Sequence, residues 1–384
     1  YPFADHASHL IGYVGKVSES EVKDKNDQPL LKHPDMKIGK NGVEALYEER
    51  LQGKAGVKQT EVNASGSPIR ELARTAPVVS APLTLTIDTR LQEFAIARLG
   101  EESGAVVVMD VNTGEVLALV SMPAFDPNEF SKGIKAGYYK ELNDNKKAPL
   151  MNKAISGQYP PGSTFKMVTA LAGLKSGKFK PETHIHCTGT FFLGNHPFGC
   201  WKREGHGSLS MAEAIEQSCD TYFYTVAREI GIDALAEMSR AFGLGEKPGL
   251  GLMAERAGIV PSPAWKLSAG RGGWNPGETI NTAIGQGDSL TTPMQLAIMT
   301  ARMVNGGKMI APRLLLDDAT QMLGEIEVDP AHLAVVVEGM NRVVNGPRGT
   351  ARGSMIADEK FAFGGKTGTS QVRKLLVPGQ DQKS

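Results

Sequence analysis

One segment constrains the fold more than any other, because it stops the chain and then starts a buried helix. Residues 157–174 read GQYPPGSTFKMVTALAGL. The two prolines and the glycine at 160–162 disfavour helix, so a helix begins at or near Ser163. Apolar side chains recur at helical spacing over 165–174, which predicts a stripe facing a core. A serine in the first turn and Lys166 three residues later are therefore placed on a rigid, buried element.

The Ser163-x-x-Lys166 spacing has two interpretations. Residues three apart share a helix face, so the Lys166 amine can reach the Ser163 hydroxyl. The ordinary alternative is an N-cap serine beside a solvated lysine. The chain repeats the spacing at Ser20 and Lys23, in a polar segment with no helix stop. The spacing alone therefore does not identify a reactive pair.

Length and charge limit the class of protein. The chain has 384 residues, 41% of them hydrophobic, which suits one large or two medium domains with a full core. The 42 basic and 42 acidic side chains balance, and no basic stripe is present, so we expect no nucleic-acid partner. The chain starts at Tyr1, without a signal peptide or a membrane-spanning apolar run. We expect it to be a soluble portion of a longer protein.

The order of elements predicts the fold class. Two apolar runs at 104–123, joined by Asn112-Thr113-Gly114, indicate a β-hairpin. Helical signals dominate from 163 to about 310, with Gly/Pro-rich breaks at 188–208 and 270–293. A further helix follows at 331–344, and residues 361–372 return to strand character. A hairpin early, helices between and a strand late predict an α/β (α+β) sandwich: an antiparallel sheet between helices.

The first 80 residues differ from the rest in being polar and rich in Gly, Lys and Glu. They predict a short strand within 11–17, a helix at about 43–52 and a loop over 54–80. Within that loop the sequence NASGSP indicates a turn. From residue 83, strand alternation gives way to a helix capped by Asp88. We therefore divide the chain into a smaller module, 1–80, and a larger domain, 81–384.

Three polar motifs lie on the larger domain. They are Ser163-Thr164-Phe165-Lys166, Ser218-Cys219-Asp220 and Lys366-Thr367-Gly368-Thr369. Taken singly, a Ser-x-Asp is a common N-cap and a Lys-Thr-Gly is a common turn. Here the first opens an apolar helix, the second falls between two predicted helices and the third follows a Gly-Gly on a predicted strand. This order and setting make the combination specific.

With these motifs the sequence resembles the penicillin-binding, serine acyl-transferase superfamily, which includes the serine β-lactamases. The resemblance runs from about residue 36 to 372. GKNGVEALYEERLQGKAG and EVNASG resemble the N-terminal, non-catalytic (pedestal or dimerisation-like) module of class B penicillin-binding proteins. NPGETINTAIGQGDSLTTPMQLA, at 275–297, resembles the elongation-type branch, penicillin-binding protein 2. The implied fold is the transpeptidase fold shared with serine β-lactamases.

The resemblance implies a D,D-transpeptidase that cross-links peptidoglycan stem peptides in cell elongation and is inhibited by β-lactam antibiotics. Ser163 would be acylated by the D-Ala-D-Ala end of a stem peptide. Lys166 can take the serine proton only when unprotonated, a state that a helix N-terminus and the second cation, Lys366, both favour. Ser218 would pass a proton to the leaving amine, and Asp220 would order the second motif.

The third motif would bind substrate. Lys366 and the hydroxyls of Thr367 and Thr369 can hold a substrate carboxylate. Gly365 and Gly368 let the substrate backbone lie against the strand edge. The resemblance implies an oxyanion hole built from the backbone N–H groups of Ser163 and Thr369.

Location and partners follow from the resemblance alone. It implies an anchor in the bacterial inner membrane upstream of Tyr1, a periplasmic catalytic domain, and as partners a SEDS-type glycosyltransferase and elongation-complex proteins. It also implies two strands and a helix after the third motif. Only residues 370–384 follow Thr369, and 372–384 are polar and loop-like. We therefore expect the catalytic domain to be incomplete at its C-terminal end and its sheet to lack its middle.

Three other functions are alternatives to a transpeptidase: a β-lactamase, a β-lactam sensor and a non-catalytic scaffold. A class A β-lactamase needs a Glu-x-x-Leu-Asn downstream of the second motif, whereas the one ELN here, at 141–143, precedes the nucleophile. A β-lactam sensor would not need the 1–80 module, and a non-catalytic wall-synthesis scaffold would not need three intact motifs. These remain the alternatives to a transpeptidase.

A metal site is the last prediction. The spacing is Cys187-x12-Cys200-x5-His206-x12-Cys219, which uses every cysteine in the chain. Thiolates and an imidazole at four corners are what structural zinc selects. The alternatives are a Cys187–Cys200 disulfide or three buried thiols. Three further histidines could replace His206 as ligand: His184, His186 and His196.

Overall fold

The computed structural model describes residues 1–370 except 3, 25–28 and 34. The described residues form helices and six two-stranded antiparallel sheets. None of their helices combines the length and apolarity that crossing a bilayer requires.

The elements are numbered in chain order. The helices are α1 (Ser8–Ile11), α2 (Glu19–Asp24), α3 (Gly42–Leu46), α4 (Glu48–Leu51), α5 (Thr89–Leu99), α6 (Pro127–Lys132), α7 (Ala136–Asp144), α8 (Lys166–Lys175), α9 (Met211–Glu216), α10 (Asp220–Ala241), α11 (Pro263–Ser268), α12 (Pro276–Ala283), α13 (Pro293–Val304) and α14 (Pro330–Asn345). The strands are β1 (Val14–Lys16), β2 (Lys37–Gly39), β3 (Val57–Val62), β4 (Pro68–Thr75), β5 (Gly104–Met109), β6 (Val116–Met122), β7 (Ile185–Cys187), β8 (Thr190–Leu193), β9 (His196–Gly199), β10 (Gly207–Leu209), β11 (Lys308–Ile310) and β12 (Met322–Glu325).

The first 80 residues contain more elements than the sequence pattern predicted, because α1, α2, β2, β3 and β4 were not expected. The expected strand is β1, which pairs with β2, and the expected helix is split into α3 and α4 at Tyr47. The loop predicted over 54–80 is wrong, because β3 and β4 form a hairpin there. Every residue of β4 is exposed, so the hairpin has no buried face to produce an alternating pattern. The predicted turn is present, with the Asn63 side chain accepting the N–H of Ser65 at 3.0 Å.

The early hairpin of the larger domain lies between helices, as predicted. β5 and β6 pair antiparallel through the expected Asn112-Thr113-Gly114 turn. On one face Val120 packs with Ile96 of α5. On the other face Leu119 packs in a cluster with Ile298 of α13. Asp88 caps α5 by accepting the N–H groups of residues 90 and 91, but residues 83–87 form only an isolated bridge and no strand.

The main core surrounds α8. A 3₁₀ turn at Gly162–Phe165 leads directly into this helix, so Ser163 lies at its start, as the prolines predicted. Residues 166–174 are all buried. Helix α10 packs against α8 and α12, and α14 packs against α8 and α9. A helix that is buried on all sides has a largely apolar sequence, and α8 was therefore recognisable from the sequence.

The strand predicted at 361–372 is not formed within residues 361–370, and the remaining residues lie outside the described part. A strand needs another backbone alongside it, and among the described residues β5 and β6 pair only with each other. The segment instead contacts helices: Gly365 N–H donates to the Met340 carbonyl of α14 at 3.0 Å. The loop predicted at 372–384 also lies outside the described residues.

Candidate active site

The Lys166 amine lies at the centre of the site. This side chain is fully buried, and its Nζ lies 2.6 Å from Asp220 Oδ1, 2.8 Å from the Ser218 carbonyl oxygen and 3.1 Å from Ser218 Oγ. Within the described residues, all of its hydrogen bonds go to the second motif. The hydrogen bond to the Ser163 hydroxyl that the helical spacing allows is not formed in the described part of the structure, where Lys166 Nζ donates to Ser218 and Asp220 instead.

Ser218 occupies the junction between two helices, as the sequence predicted. Helix α9 ends at Glu216 and α10 begins at Asp220. Ser218 has a φ of 53°, in the left-handed region that non-glycine residues rarely adopt. Such a conformation persists where surrounding contacts over-determine it. Here the Ser218 N–H donates to Ile215 O at 3.1 Å, while its carbonyl accepts the Lys166 amine.

The third motif brings a second amine to Ser218. Lys366 Nζ lies 2.9 Å from Ser218 Oγ and 3.0 Å from the Thr367 carbonyl oxygen. Ser218 Oγ is therefore between two lysine amines. Burial, together with the nearby charge of Lys166, lowers the pKa of Lys366 to about 7, against the opposing effect of Asp220. An amine with a pKa near neutrality can exchange a proton with its neighbours at working pH.

Close backbone approach holds the third motif against the first. A Cβ at Gly162, whose φ is 56°, would lie 2.5 Å from the Thr369 carbonyl oxygen. A Cβ at Gly285 would lie 2.3 Å from the Gly162 carbonyl oxygen. Gln286 Nε2 donates to that same Thr369 carbonyl at 3.0 Å. The sequence placed Gln286 only in a Gly-rich segment, and its role in holding the motif was missed.

The substrate-binding residues predicted in the third motif are mostly exposed. Thr367, Gly368 and Thr369 are open to solvent, and Thr367 Oγ1 lies 2.8 Å from Thr350 Oγ1. The structure thus brings all three motifs into one place: the second motif is buried, Ser163 and Lys366 are half-buried, and residues 367–369 are at the surface.

The predicted metal ligands also converge. The ligand atoms of Cys187, Cys200, His206 and Cys219 all lie within 4.8 Å of one another. His206 Nδ1 lies 3.5 Å from the sulfur atoms of Cys187 and Cys200. The reserve histidines 184, 186 and 196 are outside this group.

The chemistry of this donor set fits a closed structural zinc site, which takes thiolate and imidazole ligands. All three cysteines are free thiols, so the alternative disulfide is not formed. A hydrogen bond with Cys219 lowers the pKa of the Cys200 thiol to about 5, and the same pairing raises the pKa of Cys219. Thiolate is the form that binds a metal.

Trp201 connects this cluster to Ser218 and Asp220 of the second motif, and sequence reasoning missed it. Its main-chain N–H donates to Asp220 Oδ2 at 2.9 Å, and its indole Nε1 donates to the Ser218 carbonyl at 3.0 Å. The only available signal was its position next to Cys200.

The sequence of this chain matches two known protein families. Residues 104–383 match the family described as penicillin binding protein transpeptidase domain, and residues 1–85 match the penicillin-binding protein dimerisation domain. The chain belongs to the penicillin-binding protein transpeptidase family. The family and the fold class predicted from the sequence are therefore confirmed.

Relatives within the penicillin-binding proteins are found among both sequences and structures. The peptidoglycan D,D-transpeptidase MrdA of Acinetobacter baumannii is 40% identical over 98% of this chain and 57% of its own length. MrdA of Escherichia coli is 36% identical over 97% of this chain and 61% of its own length. The chain thus spans about three fifths of these relatives.

Solved penicillin-binding protein structures superimpose closely. Pseudomonas aeruginosa PBP2 in complex with WCK 5153 is 38% identical, with a TM-score of 0.83, over 97% of this chain and 80% of that one. PBP2 of Helicobacter pylori, solved in a complex with MreC, is 35% identical, with a TM-score of 0.89, over 97% and 68%. A structure described as a peptidoglycan synthase complex that coordinates polymerization and crosslinking matches at a TM-score of 0.82, with 34% identity over 99% and 67%.

Proposed function

We propose that this chain is a serine D,D-transpeptidase that cross-links peptidoglycan stem peptides in cell elongation through an acyl-enzyme on Ser163, and that β-lactams inhibit it. One observation carries the proposal: Ser218 Oγ lies 3.1 Å from the amine of Lys166 and 2.9 Å from that of Lys366. This arrangement provides a proton path beside a serine at a helix start. The relatives named D,D-transpeptidases support the same reaction.

In the first half-reaction the Ser163 hydroxyl attacks the carbonyl carbon between the two terminal D-alanines. Its proton passes to Lys166, and the backbone N–H groups of Ser163 and Thr369 stabilise the developing oxyanion. The C–N bond then breaks, and Ser218 relays the proton to the leaving D-Ala amine. The amine of a neighbouring stem peptide attacks the resulting ester, returning its proton along the same path and regenerating Ser163.

Recognition of the substrate belongs to the third motif. A terminal carboxylate fits the Lys366 cation with the hydroxyls of Thr367 and Thr369. Gly368 leaves room for the peptide backbone beside this segment. The exposure of Thr367–Thr369 supports this assignment, because a substrate must reach them from solvent.

Domain limits, location and partners extend the proposal. We assign residues 1–80 to a non-catalytic module and 81–384 to the transpeptidase domain, which the two family matches support. We assign the protein to the inner membrane through an upstream anchor, with this portion in the periplasm. A SEDS-type glycosyltransferase and elongation-complex proteins are the proposed partners, since a relative was solved with MreC and another within a peptidoglycan synthase complex.

We propose further that Cys187, Cys200, His206 and Cys219 hold a structural zinc ion. Zinc would neutralise the thiolates and cross-link a segment whose regular elements are short strands and the short helix α9. Metal analysis of protein purified without added zinc should find about one equivalent. Cys219→Ser should lower both thermal stability and acylation rate, and chelation should do the same to the unsubstituted protein. His196→Ala, an exposed histidine of the same segment, is the control and should change neither. Well under one equivalent of metal would refute the site.

The test of the reaction is covalent labelling. Intact-protein mass after benzylpenicillin should rise by one adduct, and Ser163→Ala should remove it, while Ser20→Ala should leave it unchanged. An adduct that persists in Ser163→Ala contradicts the assignment. Rapid release of the adduct would favour a β-lactamase. Slow release without turnover of a stem-peptide mimic would favour a sensor, whereas turnover of that mimic supports the transpeptidase.

A further inference from the structure

Trp201 donates hydrogen bonds to two residues that hold the Lys166 amine. We propose that Trp201 is a positioning residue for acylation: its indole N–H fixes the Ser218 carbonyl, and through it the Ser218 hydroxyl and the Lys166 amine. This inference rests on the proposed transpeptidase function. Trp201 touches no reacting atom in this role.

The Ser218 carbonyl is the first point of contact. It accepts Lys166 Nζ at 2.8 Å and Trp201 Nε1 at 3.0 Å, and the same indole N–H also lies 3.1 Å from the Gln217 carbonyl. These donors engage the main chain of a residue in a left-handed conformation. Without the indole donor the peptide after Ser218 has less to hold it in that conformation, and the hydroxyl between the two amines moves with it.

Asp220 is the second point of contact. One carboxylate oxygen accepts Lys166 Nζ at 2.6 Å, and the other accepts the Trp201 main-chain N–H at 2.9 Å. This second hydrogen bond uses the backbone, so a side-chain substitution leaves it in place. The main-chain position of Trp201 is in turn set by Cys200 next to it and by ring contact with His206, whose centroid lies 5.2 Å away.

Because the Trp201 ring is exposed, a positioning role of this residue can be distinguished from a packing role. Trp201 is 58% exposed, so replacing it opens no cavity in the core. Apart from the edge contact with His206, its contribution is the indole hydrogen bond that it donates inward. A variant that keeps an aromatic ring and lacks the N–H therefore tests the proposal without unfolding the protein.

The experiment measures acylation by benzylpenicillin in two steps, the dissociation constant Kd of the initial complex and the first-order acylation rate. Trp201→Phe removes the indole N–H, and site-specific incorporation of 3-benzothienylalanine at 201 removes it while keeping the ring shape. We expect the acylation rate to fall about fivefold to tenfold in both, with Kd unchanged within about twofold. Trp274→Phe is the matched control, because that indole also donates one hydrogen bond, to Thr279 Oγ1 at 2.9 Å, away from the second motif.

Three results would overturn the inference. The first is an acylation rate unchanged in both variants at position 201. The second is a rise in Kd alone, which would make the ring a substrate contact. The third is a loss with Phe that the benzothienyl analogue restores, which would assign the effect to ring shape. If the unsubstituted protein is not acylated at all, it is the proposed function that fails.

Discussion

The two halves of the candidate site are built in different ways. In the inner half, Lys166, Ser218 and Asp220 are at most 8% exposed, and two helix starts and a helix junction hold them within the main core. In the outer half, Lys366 is partly buried and residues 367–370 are exposed, and no ladder hydrogen bonds within the described residues hold them. The outer half is positioned by single contacts, such as that of Gln286 with Thr369.

This difference predicts that the two halves of the site have different roles. The inner half is fixed by the same packing that stabilises the domain, so its geometry is set before substrate arrives. The outer half meets the inner one chiefly through one lysine amine and through glycines that allow close approach. Substitutions in the inner half should therefore affect the chemical step, and most of those in the outer half should affect recognition of the substrate carboxylate.

The largest expected effect is loss of the inner amine. Lys166→Met should slow acylation by benzylpenicillin about a thousandfold or more, because the proposed mechanism makes the Lys166 amine the acceptor of the Ser163 proton. Stopped-flow labelling measures this rate. Lys153→Met is the matched control, since Lys153 is also buried but donates to the Ala148 carbonyl at 2.9 Å, outside the site. Equal losses in the two variants would mean that burial of a lysine, and not its position, matters.

The second largest effect is expected from removing the Lys366 amine of the outer half. Lys366→Ala should slow acylation about a hundredfold, as loss of one electrostatic contact at a reacting centre typically does. The comparison variant is Lys360→Ala, an exposed lysine of the same segment. A rate within a few-fold of the unsubstituted protein, with the fold intact by circular dichroism, would contradict the role of Lys366.

The pH dependence of the acylation rate should follow the protonation state of Lys366. With a pKa of about 7, the Lys366 cation is lost as pH rises, so acylation by a carboxylate-bearing β-lactam should fall about tenfold from pH 6 to pH 8. The stability of the fold should depend on pH through the same amine. In the unfolded chain the pKa of Lys366 has its ordinary value of about 10.5. Between about 7 and 10.5 the unfolded state binds the extra proton, so the contribution of Lys366 to the free energy of unfolding rises with pH. Lys366→Ala should remove both dependences, and their persistence would assign them to another group.

The smallest expected effect is at Gln286. Gln286→Ala should loosen the third motif and weaken initial binding of benzylpenicillin about threefold to fivefold, leaving the acylation rate nearly unchanged. Titration of the labelling rate against antibiotic concentration separates the two constants. Gln59→Ala, on the exposed hairpin, should alter neither. A fall in acylation rate with normal binding would show that the two halves are not separable in this way.

Part of this protein could be predicted from local sequence. The prolines before Ser163, the apolar run of α8, the Asp88 cap and the β5–β6 turn are all encoded within a few residues, because periodicity, capping and turn formation are local effects. The four metal-ligand candidates were recognisable for a similar reason, since thiol and imidazole chemistry is a property of the side chains themselves. The three motifs could be assigned by resemblance, which supplied their roles without any distance.

Only the tertiary structure decided which groups meet. Ser218 Oγ lies between amines from Lys166 and Lys366, which are 52 and 148 positions away along the chain. The β3–β4 hairpin is held by main-chain pairing with no buried face to mark it, and residues 361–370 form no strand because no strand among the described residues pairs with them. Trp201 and Gln286 act through carbonyl oxygens of distant residues. Hydrogen bonds of this kind depend on which backbone is brought within about 3 Å by packing, and no local pattern encodes that.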